Sequence, residues 1–62
     1  MLEAVIVDDE EKALQSLQWE LTNFSNEISV VASFTDAYKA LSYLDSNQPD
    51  CLFLDIEMPS MD

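Results

Sequence analysis

Three acidic side chains stand at the ends of apolar runs. Ala4-Val5-Ile6-Val7 leads directly into Asp8 and Asp9, and Cys51-Leu52-Phe53-Leu54 leads into Asp55. The chain has no histidine, which excludes a histidine general base, a Ser-His-Asp triad and imidazole metal ligation. It has no glycine either, so neither a phosphate-cradling Walker loop nor a dinucleotide fingerprint can be built from it. Its chemistry must run on carboxylates. If the two apolar runs are neighbouring parallel strands, about 4.8 Å apart, their terminal acids share one edge within metal-bridging reach. Three carboxylates in one crevice repel one another at neutral pH, so a proton or a cation is expected among them. Magnesium suits: a hard ion that takes one or two carboxylates, a carbonyl and waters. Plainer roles compete for each acid taken singly, with Asp9 as a helix N-cap and Asp55 as a strand-end acid facing solvent.

The elements that must position these acids follow from two alternating periods. Leu2 to Val7 is a continuous apolar run broken only by Glu3, which predicts a strand buried on both faces over 2–7. Leu14, Leu17, Leu21 and Phe24 then recur at helical spacing behind the acids Asp9-Glu10-Glu11, which favour a helix N-terminus; a helix is expected near 10–24. Trp19 falls off that stripe and reads as packing at the helix margin. Residues 28–34 form a second strand, which Ser29 and Ser33 weaken towards an edge position. Ala37, Ala40, Leu41 and Leu44 give a second helix near 36–46, with Thr35 or Asp36 as its N-cap. Asn47-Gln48-Pro49-Asp50 breaks it, Cys51 to Asp55 is a third strand, and Met58-Pro59 shapes the turn after it. The order β-α-β-α-β implies right-handed crossovers and a parallel sheet covered on both faces, with ligands bound at the edge where the strands end.

Composition bounds the rest. Thirteen acids face only Lys12 and Lys39, a net charge of −11, which argues against direct binding to nucleic acid or to an anionic membrane. The lone Cys51 excludes an internal disulfide, fits a reducing cytoplasm, and reads as a small buried thiol within its apolar run. Ala4 to Val7 is too short for a signal segment and no run approaches a membrane span, so a cytoplasmic location is expected. At 62 residues the chain makes at most one small domain, and its 48% hydrophobic content is that of a globular chain. A domain of this size buries only about 60% of the surface its unfolded form exposes.

Ile6-Val7-Asp8-Asp9-Glu10 resembles the opening acidic pair of response-regulator receiver domains. Leu52-Phe53-Leu54-Asp55-Ile56-Glu57-Met58-Pro59, followed by Ser60-Met61-Asp62, resembles their phosphoacceptor segment. Both motifs fall in register, the resemblance spans the whole chain, and Pro49-Asp50 sits where receivers commonly carry that pair. The wording Asp-Ile-Glu-Met-Pro is most similar to regulators whose output is a LytTR-type DNA-binding domain. The resemblance implies an α/β, truncated flavodoxin-like receiver fold over 1–62: three parallel strands in order 2-1-3, with two helices. It further implies Asp55 as phosphoacceptor and Mg2+ held by Asp8, through water, by Asp9, by Asp55 and by the backbone carbonyl of Glu57. A carboxylate is a poor nucleophile towards an anionic phosphoryl group unless a divalent ion neutralises both. The product would be an acyl phosphate that switches a protein surface, with a sensor histidine kinase as donor.

The resemblance also has an edge. A glycine after Asp62, a fourth-strand Thr or Ser and a fifth-strand Lys are part of the family pattern and absent from these residues. A half-domain, natural or cut, is therefore expected, with no enzymatic turnover, little phosphorylation by itself, and DNA reached only through an output domain absent here. One rival is a Mg2+-dependent phosphatase of the haloacid dehalogenase type, which wants Asp-x-Asp where this chain has Asp55-Ile56-Glu57. The other is a purely associating half-domain, because an open, apolar third-strand edge invites a homodimer or an exchange of elements between chains.

Overall fold

The structure, a computed structural model, describes residues 1–55; the expectations that fall on Glu57, Met58 and Pro59 lie outside the described residues. The elements are β1 (Leu2–Asp8), α1 (Glu11–Phe24), β2 (Ile28–Phe34), α2 (Ala37–Ser46) and β3 (Cys51–Asp55). All three strands are parallel and their order across the sheet is β2-β1-β3, the α/β flavodoxin-like receiver arrangement. Ala4, Val5, Ile6 and Val7 are fully buried, as an unalternated apolar run in a central strand should be. β2 forms one edge, where its half-polar sequence is tolerated. Its pairing skips Val31, since Ala4 pairs with Val30 and Val5 with Ala32, and that irregularity leaves Val31 exposed.

Successive strand residues point to opposite faces, and this sorts the core. Val5 and Val7 meet Ala40 of α2, with Ala32, Phe34 and Tyr43 packed around them, and Phe34 and Tyr43 stack at 5.5 Å. Ala4 and Ile6 point to the other face, and α1 packs across β1 and β2 with Leu14 buried. Asp36 starts α2, as expected, its Oδ1 accepting from the Tyr38 N–H at 2.8 Å. β3 is tied to β1 at its entrance by Asp50, whose N–H donates to the Glu3 carbonyl at 2.8 Å. The Asp50 carboxylate accepts from the Glu3 N–H at 2.7 Å.

Three expectations need correction. Phe24 leaves the buried stripe: it is the last residue of α1, past the support of the sheet, 76% exposed and edge-on to the exposed Trp19 at 5.6 Å. Leu41 is exposed rather than core, because neither helix packs on β3, and the strand residues Leu52 and Leu54 are exposed for the same reason, as the open apolar third strand implied. Cys51 is half-buried, not buried, for the same reason.

Candidate functional site

The parallel pairing of β1 with β3 runs without interruption from Ala4↔Cys51 to Asp8↔Asp55. Asp8 and Asp55 are therefore cross-strand neighbours at the edge where strands end, one strand spacing of about 4.8 Å apart. Like charges so opposed repel, and the arrangement persists only because the apolar residues before them hold the register.

The three acids differ in setting. Asp8 is 5% exposed, and its Oδ1 accepts from the Glu10 N–H at 2.9 Å, which fixes the turn from β1 into α1. Asp9 and Asp55 are exposed. Together with Glu10 and Ala13 these residues line a crevice of about 220 Å³. Asp9 is not the N-cap of α1: Glu10 takes that position with an extended backbone and no side-chain cap. Sequence reasoning placed Glu10 among the acids that favour the start of α1 but not in the crevice. Its signal there was its place directly after the acidic pair, where the chain must turn to start α1. The positive end of α1 faces this same edge and eases the crowding of negative charge.

Asp8, Asp9 and Asp55 supply hard oxygen donors only. Among the described residues no three acidic, His or Cys side chains gather closely enough to hold a metal ion unaided. Magnesium does not require that: it keeps several waters and takes one or two carboxylates, so an Asp8–Asp55 edge with Asp9 beside it fits the ion. The backbone carbonyl of Glu57, the remaining expected ligand, lies outside the described residues.

The model of the response regulator receiver domain family matches residues 4–62. The chain belongs to the receiver domain family. It is 41% identical over 61 residues to Protein MrkE of Klebsiella pneumoniae, covering 98% of this chain and 22% of that protein. It is 38% identical over 61 residues to the transcriptional regulatory protein YpdB of Escherichia coli K12, covering 98% and 25%. A protein-glutamate methylesterase/protein-glutamine glutaminase of Shewanella is 34% identical over 58 residues, covering 94% of this chain and 16% of that protein. The chain thus spans about a quarter or less of the length of the curated relatives it matches. No solved structure matches it significantly. No helix among the described residues is long and apolar enough to cross a membrane.

This receiver domain is of the kind found in the response regulators of two-component systems. The acidic edge that sequence reasoning assembled from Asp8, Asp9 and Asp55 is one continuous feature of it, built by the ends of β1 and β3.

Proposed function

We propose that this receiver, in the cytoplasm, takes a phosphoryl group on Asp55 from a sensor histidine kinase, with Mg2+ at the acidic edge, and passes the change to an output domain. The observation that carries this reading is the Asp8↔Asp55 register, which sets an exposed acid beside a buried one at the strand ends of a receiver-family chain. Asp55 is the exposed member with room for attack. In the transfer an Asp55 carboxylate oxygen forms a bond to phosphorus as the bond from phosphorus to the donor breaks, and the donor leaves with the electron pair. Asp8 and Asp9 would hold the cation, Asp8 through a water because one of its oxygens already accepts from Glu10. Bound there, Mg2+ would neutralise the carboxylate and the incoming phosphoryl oxygens. The transcriptional regulators among the relatives support a DNA-binding output; the motif Asp55-Ile56-Glu57-Met58-Pro59 supports the LytTR type. The role is that of a switched acceptor without turnover of its own.

Acetyl phosphate with Mg2+, followed by borohydride reduction of any acyl phosphate and peptide mass spectrometry, tests the assignment. The label that forms should map to Asp55 and vanish in Asp55→Asn. Label on Asp8 or Asp9, or persistent hydrolysis of a generic phosphate ester, would exclude it, and hydrolysis would favour the phosphatase reading.

A further inference from the structure

Glu10 stands at the N-cap of α1 with an extended backbone, yet its side chain bonds no helix amide. Glutamate is a poor choice there. Ser, Thr, Asp and Asn carry an oxygen at the right reach for the first free N–H groups, as Asp36 does at α2. Local rules of this kind are broken most often where a function uses the residue. Two observations say which function. The Glu10 N–H donates to Asp8 Oδ1 at 2.9 Å, so its backbone is fixed against the buried acid of the site. Glu10 also lines the crevice of about 220 Å³ beside Asp8, Asp9 and Asp55. Its exposed carboxylate accepts no hydrogen bond among the described residues.

We infer that Glu10 is a positioning residue for the cation of this site, its carboxylate holding water molecules bound to Mg2+. The inference rests on the phosphoacceptor reading, which puts Mg2+ at this edge, and adds Glu10 to Asp8, Asp9 and Asp55 as a fourth carboxylate with a distinct task. Magnesium takes only one or two carboxylates directly and keeps several waters. Those waters are polarised donors, and a carboxylate one layer out accepts from them with the help of its charge. Such partners orient the ligands of a metal and typically strengthen its binding by about 10- to 100-fold. Glu10 is exposed, so its share is smaller.

The plainer roles of Glu10 leave its place unexplained. As a cap it is idle, and as a partner for the positive end of α1 it duplicates Glu11 in the first turn. Glu11 carries the same charge one residue further on but does not line the crevice. Comparing the two separates contact with the hydrated ion from the general field of the surface acids.

The test is an Mg2+ titration of the whole chain at physiological salt, followed by the amide shifts of Asp8, Asp9 and Asp55. Glu10→Gln should weaken Mg2+ binding about threefold to tenfold. Glu11→Gln should weaken it less than about twofold, because salt confines the field of an exposed charge to about 8 Å. Glu10→Ser separates positioning from folding. Serine caps α1, so the urea midpoint should rise, while Mg2+ binding should weaken at least as much as in Glu10→Gln. A merely structural role would move both in one direction. Equal affinities in Glu10→Gln and Glu11→Gln, or undiminished binding in Glu10→Ser, overturn the inference and leave the reading of Asp55 standing, since Mg2+ still binds at the strand ends. Shifts that do not gather at Asp8, Asp9 and Asp55 in the unsubstituted chain overturn both.

Discussion

Asp8 and Asp55 are paired in register yet are held for different purposes. Asp8 is buried and accepts from the Glu10 N–H, so its carboxylate is structural before any ion arrives. Asp8→Ala leaves that donor without its partner and should cost about 1–2 kcal/mol in urea unfolding, while Asp8→Asn keeps an acceptor and should cost clearly less. Asp55 is exposed and opposes Asp8, so Asp55→Asn relieves a like-charge contact and should raise stability by a few tenths of a kcal/mol, up to about 1. The same edge should bind Mg2+ weakly. In a titration followed by NMR, amide shifts should concentrate at Asp8, Asp9, Asp55 and Glu57. Equal shifts at Asp36, Asp45 and Asp50 would instead report screening of the surface at large.

The helices and strands are held unequally by their ends. α2 has a side-chain cap from Asp36 and α1 has none, since Glu10 occupies its N-cap position without bonding an amide. Asp36→Ala should therefore cost about 1 kcal/mol, and Glu10→Ser should gain up to about that much, both measurable as shifts in the urea midpoint. Among the described residues β3 has no helix over it and pairs with β1 alone, which makes the bonds of Asp50 with Glu3 its anchor at the entrance. Asp50→Ala should cost about 1 kcal/mol. Its signature is regional: amide exchange should speed in Cys51–Asp55 while β2 stays as it was.

At the scale of the molecule, six buried apolar residues among those described and a charge of −11 mean a modest core under self-repulsion. Phosphorylation is subject to the same shortage. The crevice at Asp55 is lined by Asp8, Asp9, Glu10 and Ala13, and neither Lys12 nor Lys39 is among the lining residues. Among the described residues, then, no basic side chain lines the crevice to meet charge on a transferring phosphoryl group, where preorganised donors usually add about 3 kcal/mol or more. Acetyl phosphate should accordingly label only a small fraction of this chain, by intact-mass measurement, under conditions that label a longer receiver fully. Stoichiometric labelling would show that no such donor is needed.

Local pattern by itself determined the three parallel strands, both helices, their bounds to within a residue or so, and the ending of β1 and β3 in acids. Unalternated apolar runs between helical patterns read as strands of a parallel sheet, and the turn cluster Asn47 to Asp50 punctuates them. It also narrowed the start of α2 to Thr35 or Asp36, and the bond from the Tyr38 N–H decides for Asp36. What only the tertiary structure decided was cover. Leu41, Leu52, Leu54 and Phe24 have the same apolar character as Val5 and Val7, and nothing local marks them as exposed. Burial depends on which elements lie within reach, and α2 reaches β1 and β2 but not β3. The split between a buried Asp8 and an exposed Asp55 has the same origin: among the described residues β1 has strand neighbours on both sides and β3 on one.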